Sequence, residues 1–256
     1  MLRILAAFVA LAFAALAFAS PAFADAPKKL LLVYSDPDGH PAGTHEYQAG
    51  VRALAEVLKS RRDVEVTLSR AEGNWKDGPE LVGRSDAVLL FVSEGAKWLS
   101  ADAKRLAAFR DLAKRGGGLG VLHWSMGTKE AAPVEAFANL FGACHGGPDR
   151  KYQVIEKAEV IVADPKHPAA AGIKDFTVRE EFYYKLKRTK LDPGVKPLLE
   201  AKIDGEREMV AWTWDRPEGG RSFGFTGLHF HDNWKRDEYR RLVSHAMLWT
   251  LKLKAE

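Results

Sequence analysis

Three short, almost wholly apolar runs punctuate the first half of this chain: KLLLVYS at 29–35, AVLLFVS at 87–93 and LGVLH at 119–123. Runs of this length bounded by polar residues fit strands buried on both faces, as in a parallel sheet, better than helices. A fourth segment, VEVTLS at 64–69, alternates and also reads as a strand. Helical spacing fills the gaps. Tyr47, Val51, Leu54, Ala55 and Leu58 share one face of a helix over 45–60, capped by Thr44 or the residue before it. Leu106, Phe109, Leu112 and Ala113 do the same in a helix over 100–114 opened by Ser100, and a further helix covers 133–141. Alternating strands and helices imply an α/β fold with a doubly wound parallel sheet and right-handed crossovers.

The texture changes after Gly146. Residues 152–163 alternate like strands, 164–168 form a turn, and 179–186 are polar and aromatic. Residues 209–214 and 221–227 predict a β-hairpin across the Pro- and Gly-containing 215–220. A closing C-terminal helix over 235–253 offers Leu242, Ala246, Leu248 and Trp249 to the sheet. No G-x-G-x-x-G or phosphate-binding loop is present; the glycines at 116–118 precede a strand and act as a helix stop.

The first 24 residues are expected to be a leader rather than fold. Arg3 precedes an apolar run rich in Ala, Leu and Phe, and Ala22-Phe23-Ala24 is a small-x-small cleavage pattern. Cleavage after Ala24 leaves one domain over 25–256, periplasmic or secreted, with no stable membrane insertion. The rival is a retained anchor, since the apolar run approaches the length of a short span. Arg3 is the only charged residue of the leader, so the mature chain keeps a mild basic surplus scattered along its length, which argues against nucleic acid. The one cysteine, Cys144, permits no internal disulfide and reads as a buried thiol.

Chemistry gathers where strands end. RGGGLGVLHWSMG at 115–127 delivers His123 to the carboxyl end of its strand, the edge where open α/β sheets bind ligands. GHPAGTHEY at 39–47 brings His40, His45 and Glu46 to the end of the first strand, and GLHFHDNW at 227–234 brings His229 and His231 to another strand end. Alternation lets only one of His229 and His231 face a common cleft. Imidazoles from separate strand ends suit zinc or another divalent ion, with Glu46, Glu180 or Glu181 as a fourth ligand or a base. Each histidine alone also fits a cap or a hydrogen-bonded core residue. Ser125, just past the strand, is a weak nucleophile candidate because His123 is too close in sequence to serve it. Among the aromatics, Phe182, Trp212 and Trp214 read as core, while Trp124 and Trp234 flank the histidine stretches and could stack on a sugar ring.

GHPAGTHEY, SDAVLLFVS, GGGLGVLHWS, DPKHPAAAGI, EEFYY, MVAWTWDRPEGGRSFGFTGLHFHDNW and RLVSHAMLWT together resemble the ThuA-like (trehalose-utilisation) family over nearly all of the mature length. The resemblance implies a flavodoxin-like domain of the class I glutamine amidotransferase-like superfamily, with the β-hairpin as an addition. It also implies carbohydrate metabolism, with keto-sugars as one setting. The amidotransferase elbow carries a cysteine; His123 stands there, so glutaminase activity is not expected. The family's polar positions fall on His40, His45, Glu46, His123, Glu181, Tyr183, His229 and His231. Many relatives have a histidine where this chain has Lys185. The expected protein is therefore an exported one acting on a sugar or keto-sugar by hydrolysis, isomerisation or elimination. His45, His123 and His229 would hold a divalent metal such as zinc. Glu181, His40 and Tyr183 would act at the reacting atoms, and Glu46, Trp124, Tyr184, His231 and Trp234 would contact the carbohydrate. The alternatives are a non-catalytic sugar- or partner-binding protein and a degenerate amidotransferase kept as a structural partner.

Overall fold

The structure, a computed structural model, describes residues 26–191 and 194–255; the expected leader lies outside them. The apolar runs form strands. In chain order the elements are β1 (Lys28–Tyr34), α1 (Tyr47–Leu58), β2 (Val64–Arg70), α2 (Gly78–Gly83), β3 (Ala87–Phe91), α3 (Gly95–Ser100), α4 (Ala103–Lys114) and β4 (Gly118–Leu122). A 3-10 turn at His123–Met126 leads to β5 (Gly127–Thr128), α5 (Val134–Phe141) and β6 (Ala143–Gly146). Then come β7 (Lys151–Val162), β8 (Phe176–Tyr184), β9 (Lys187–Arg188), β10 (Lys196–Ile203), β11 (Glu206–Asp215), β12 (Arg221–Phe225) and α6 (Asp237–Thr250).

Nine strands make one sheet in the order β2-β1-β3-β4-β12-β11-β10-β7-β8. The first five run parallel and the remainder pair antiparallel, so the sheet is mixed rather than parallel throughout. The parallel half has a 2-1-3-4-5 order, consistent with the flavodoxin-like expectation. Both faces are covered. Along β1, Leu30 and Leu32 enter the core beneath α1 and α6, while Leu31 and Val33 enter the core beneath α2, α4 and α5.

The expected hairpin exists, with β11 and β12 antiparallel, but it is not an addition to the sheet. β12 also pairs in parallel with β4 and is the fifth strand of the parallel half. Trp212 and Trp214 are buried as expected. Room for Trp212 comes from its cross-strand partner: a Cβ at Gly224 would lie 2.1 Å from the indole ring. Burying a side chain of this size is worth roughly 3 kcal/mol.

Two helix starts differ from expectation. α1 begins at Tyr47, and Thr44 does not cap it; the Thr44 hydroxyl donates to the Pro41 carbonyl at 2.6 Å, and its backbone bridges to Phe230. Ser100 closes α3 instead of opening α4, whose cap is Asp102, extended in backbone and accepting from the Arg105 N–H at 2.7 Å. Both are local choices among neighbouring cap-forming residues, and helical periodicity does not resolve them. Leu106 is only half-buried. Among the described residues no helix is long and apolar enough to cross a membrane.

Candidate functional site

The carboxyl ends of β1, β4 and β12 lie on one edge of the sheet, and the chain turns sharply beyond each. His45 (φ 53°), His123 (φ 45°) and Leu228 (φ 77°) all adopt left-handed backbone. For side chains other than Gly, Asn or Asp this costs about 1 kcal/mol or more per residue, and such strain concentrates at functional turns. At His123 the chain leaves β4, flips and winds into the 3-10 turn, which puts an imidazole at the tip of a strand-to-helix elbow. Gly95 makes room for this elbow: a Cβ there would lie 2.1 Å from the Ser125 carbonyl oxygen, a main-chain atom that cannot swing aside. Gly95→Ala is therefore expected to destabilise the fold by about 1–3 kcal/mol in urea denaturation, as over-packing does elsewhere.

Ser125 and Cys144 are excluded as nucleophiles by their surroundings. Ser125 is fully buried, and its Oγ accepts the Val92 N–H at 2.6 Å. Cys144 is buried beside the Met126 carbonyl, and burial pushes its thiol up, away from the reactive thiolate.

Three imidazoles converge beyond the elbow. His45 Nε2 lies 3.0 Å from His123 Nε2 and 3.1 Å from His229 Nδ1, and the latter two are 3.3 Å apart. Glu181 Oε1 is 3.5 Å from His229 Nδ1 and 3.8 Å from His123 Nε2. A tetrahedral ion with ligands at about 2.05 Å needs ligand atoms about 3.3 Å apart. The four side chains together form a group able to hold a metal ion.

The outer hydrogen bonds decide which ring nitrogens carry protons. His123 Nδ1 is 2.7 Å from the Thr226 carbonyl, which only accepts, so Nδ1 donates and Nε2 presents its lone pair. His45 Nδ1 is 2.9 Å from Asp38 Oδ2, an acceptor, so that nitrogen donates and its Nε2 points at the cluster. Burial, reinforced by His45, pushes His123 well below the usual histidine range, and burial, with the neighbouring His45 and His40 rings, takes His229 to about 4. The His123 lone pair therefore faces the His45 and His229 nitrogens at 3.0 and 3.3 Å, with room among the three for a cation.

Sequence reasoning missed Asp38, as it missed the cleft residues Lys129, His145, Arg150 and Tyr152. Burial opposes the ionisation of Asp38, but hydrogen bonds from His45, Tyr47 and His40 hold its carboxyl far below the usual range. It accepts from the Tyr47 hydroxyl at 2.5 Å, and lies 2.6 Å from His40 Nδ1. The signal was present in S-D-P-D-G-H, an acid two residues before a histidine. Asp38→Asn is expected to weaken metal affinity 10- to 100-fold, the usual scale for a carboxylate that orients a histidine ligand, read by competition with a chelating dye.

The two glutamates of β8 part company. Adjacent strand residues face opposite sides. Glu180 points into the core and accepts from the backbone N–H groups of Leu228 (2.8 Å), His229 (3.1 Å) and Glu181 (2.9 Å), the Asn233 amide (3.0 Å) and the Tyr239 hydroxyl (3.0 Å). It is not a fourth ligand; it fixes the turn that presents His229. Glu181 faces the cleft with Tyr183, and burial, then the neighbouring Glu180, pushes it up to about 7. The Tyr183 hydroxyl is 3.0 Å from His123 Nε2, and its ring stacks between His123 (4.5 Å) and His145 (3.9 Å). His40 stacks on His45 at 3.6 Å.

A cleft of about 290 Å³ opens over this cluster, walled by His40, His45, Glu181, Tyr183, Trp124, His145, Tyr152, Lys129 and Arg150. Trp124 lies where a stacked ring could meet it. Glu46, Tyr184, His231 and Trp234 do not line it. The Glu46 carboxylate accepts from the Gly43 N–H at 2.9 Å and pins the loop that carries His40. The Tyr184 hydroxyl is occupied with Asp204. The His231 N–H donates to the Gly43 carbonyl. Trp234 is buried in the core against α1 and Leu242, where an apolar ring flanking a histidine stretch ends when the helix behind it is itself apolar.

The family model described as trehalose utilisation, ThuA, matches residues 31–250. The chain belongs to the ThuA family. That span holds all four members of the ThuA chain's His/Glu cluster. No curated protein sequence matches it. Among solved structures, a ThuA-like protein from Bacteroides uniformis superposes with a TM-score of 0.67 at 15% identity, covering 90% of this chain and 95% of its own. A ThuA-like protein from Parabacteroides merdae gives 0.65 at 14%, with 90% and 92% covered. A β-galactosidase from Bacillus circulans gives 0.56 at 8%, with 88% of this chain but 31% of the galactosidase covered. At these identities the likeness is one of fold.

Proposed function

We propose that this ThuA-family protein is an exported carbohydrate-active enzyme that converts a sugar or keto-sugar at a divalent-metal centre, with zinc the first candidate. The observation that carries the reading is the meeting of imidazole nitrogens from His45, His123 and His229, each within 3.3 Å of the other two. The cluster meets the cleft through His45 and Glu181, and three histidines with Glu181 left free for the substrate match catalytic zinc, which keeps one position open. The strand order and the elbow at His123 support a flavodoxin-like, glutamine amidotransferase-like ancestry in which an imidazole has taken the nucleophile's place.

A bound divalent ion would supply Lewis-acid polarisation of a carbonyl or hydroxyl oxygen. The chain's own groups do the rest. Glu181, poised near neutrality beside the cluster, takes a proton from the sugar carbon or hydroxyl and returns it. Tyr183 donates a hydrogen bond to the same region, Trp124 offers an apolar wall to the ring, and His40, at the solvent side, exchanges protons with water. Removal of a proton next to a keto group and its return elsewhere serves isomerisation and elimination alike.

The test is a panel of glycosides and their keto forms, followed by product analysis. Turnover is expected, lost on chelation and restored by one equivalent of a divalent ion. A protein that binds sugar with unchanged affinity after chelation, and converts none of the panel, is instead the non-catalytic binding protein of the second reading, in which the aromatic walls alone suffice. Export is tested separately: the protein from cell envelope fractions is expected to begin at Asp25.

A further inference from the structure

Beside His45, Glu181 and the proposed metal centre, the same cleft is lined by two cations, Lys129 on the segment after β5 and Arg150 just before β7. The carboxylates next to them in sequence are committed elsewhere. Glu130 pairs with Lys97 at 2.8 Å, and Asp149 with Lys187 at 2.5 Å. Among the described residues Lys129 makes no ion pair, and the guanidinium of Arg150 has only the Gly147 carbonyl at 3.3 Å and the Trp124 face at 5.8 Å. Two unneutralised cations facing one small cleft raise the local concentration of anions.

His145 gives an independent sign. Its ring is 1% exposed, stacks flat on Tyr183 and lies edge-on to Trp124 and Tyr152 at the cleft wall. Neither ring nitrogen has a hydrogen-bond partner. Burial, then the nearby Arg150, takes it to about 3, so it is neutral and offers one N–H and one lone pair. An unmet polar group of this kind costs about 1–3 kcal/mol, a loss that a ligand oxygen at the wall would recover.

From these observations we infer that the Lys129–Arg150–His145 group in the cleft binds the negatively charged substituent, a carboxylate or a phosphate, of the sugar that the metal centre acts upon. The substrate class is then a sugar acid or a sugar phosphate rather than a neutral glucoside. The inference rests on the proposal that the cleft takes a carbohydrate. A guanidinium and an ammonium together recognise either oxyanion; a bidentate match to Arg150 favours neither over the other.

The experiment titrates the purified protein with glucose, glucuronate and glucose 6-phosphate by calorimetry at low salt. It repeats the series on Lys129→Gln, Arg150→Gln and the double variant, all at surface or half-buried positions. At least one anionic sugar is expected to bind about tenfold or more tightly than glucose, the gain of one to two charge-assisted hydrogen bonds. Its identity separates the carboxylate source from the phosphate source. The double variant is expected to erase that preference while leaving glucose affinity and metal content unchanged. Equal affinity for all three sugars, or a preference that survives in the double variant, overturns the inference. Should no sugar bind at all, the carbohydrate reading fails, and inorganic phosphate becomes the deciding probe. Phosphate binding lost in the double variant upholds an anion site, and its absence in the native protein overturns one.

Discussion

His123→Asn is expected to strip the protein of metal. Elemental mass spectrometry of the native protein should find close to one equivalent of a divalent ion, and the variant should hold less than about a tenth of that. The choice of Asn matters. His123 sits at φ 45°, and Asn adopts left-handed backbone more readily than Ala, so the elbow is kept while the Nε2 donor is removed. Two imidazoles remain beside Glu181, the proton carrier, and two histidines alone fall short of the three protein ligands that catalytic zinc sites use. Turnover should fall by roughly a thousandfold or more, since the polarising charge and its positioning go together. His123→Ala should match it in metal content, and a difference in stability between the two would report the backbone strain alone. Full metal occupancy in both variants would remove His123 from the centre, and wild-type turnover would sink the catalytic proposal.

The second large effect is expected at a residue that touches no ligand. Glu180→Ala should destabilise the protein by about 3 kcal/mol or more in urea denaturation, the cost of leaving several buried neutral donors without their acceptor. Five donors lose their acceptor, two of them the backbone N–H groups of Leu228 and His229. Leu228 holds its left-handed φ of 77° between those bonds. With them gone the turn relaxes, and His229 drifts from its partners. Metal affinity should therefore fall in the folded variant too, although no ligand has changed. Glu180→Gln keeps one acceptor oxygen but turns an NH2 toward donors, so an intermediate loss is expected. Wild-type stability in Glu180→Ala would mean that the donors find other partners and that the turn is held without the carboxylate.

The meeting of His45, His123 and His229 was legible because each follows an apolar run, and parallel strands deliver their ends to one edge. The face of β8 was legible in principle as well. Phe182 reads as core, so period two places Glu180 with it and leaves Glu181 and Tyr183 for the cleft. Asp38, by contrast, sits in a Pro- and Gly-rich loop, where no periodicity says which way a side chain turns. Trp234 flanks a histidine stretch in sequence, yet the 3-10 turn at 231–235 rotates it into the core against α1. The antiparallel half of the sheet was hidden for a different reason. A hairpin pattern states that β11 and β12 pair with each other, and says nothing about the second edge of β12. That edge is claimed by β4, about a hundred residues earlier.

The place of β12 governs the order in which this molecule can be finished. Its five residues are the last strand made, yet they lie in the middle of the sheet, between β4 and β11. A nascent chain that has emerged only as far as β11 has an open β4 edge, an incomplete core on both faces, and no His229. Sheet closure then requires one long-range pairing, which makes the topology slow to fold by comparison with a sheet built of neighbours. The same event that seals the sheet carries the third imidazole to the other two. The histidine cluster is thereby completed only once β12 has joined the sheet, and a polypeptide that stops at β11 could neither close the sheet nor bring the three imidazoles together.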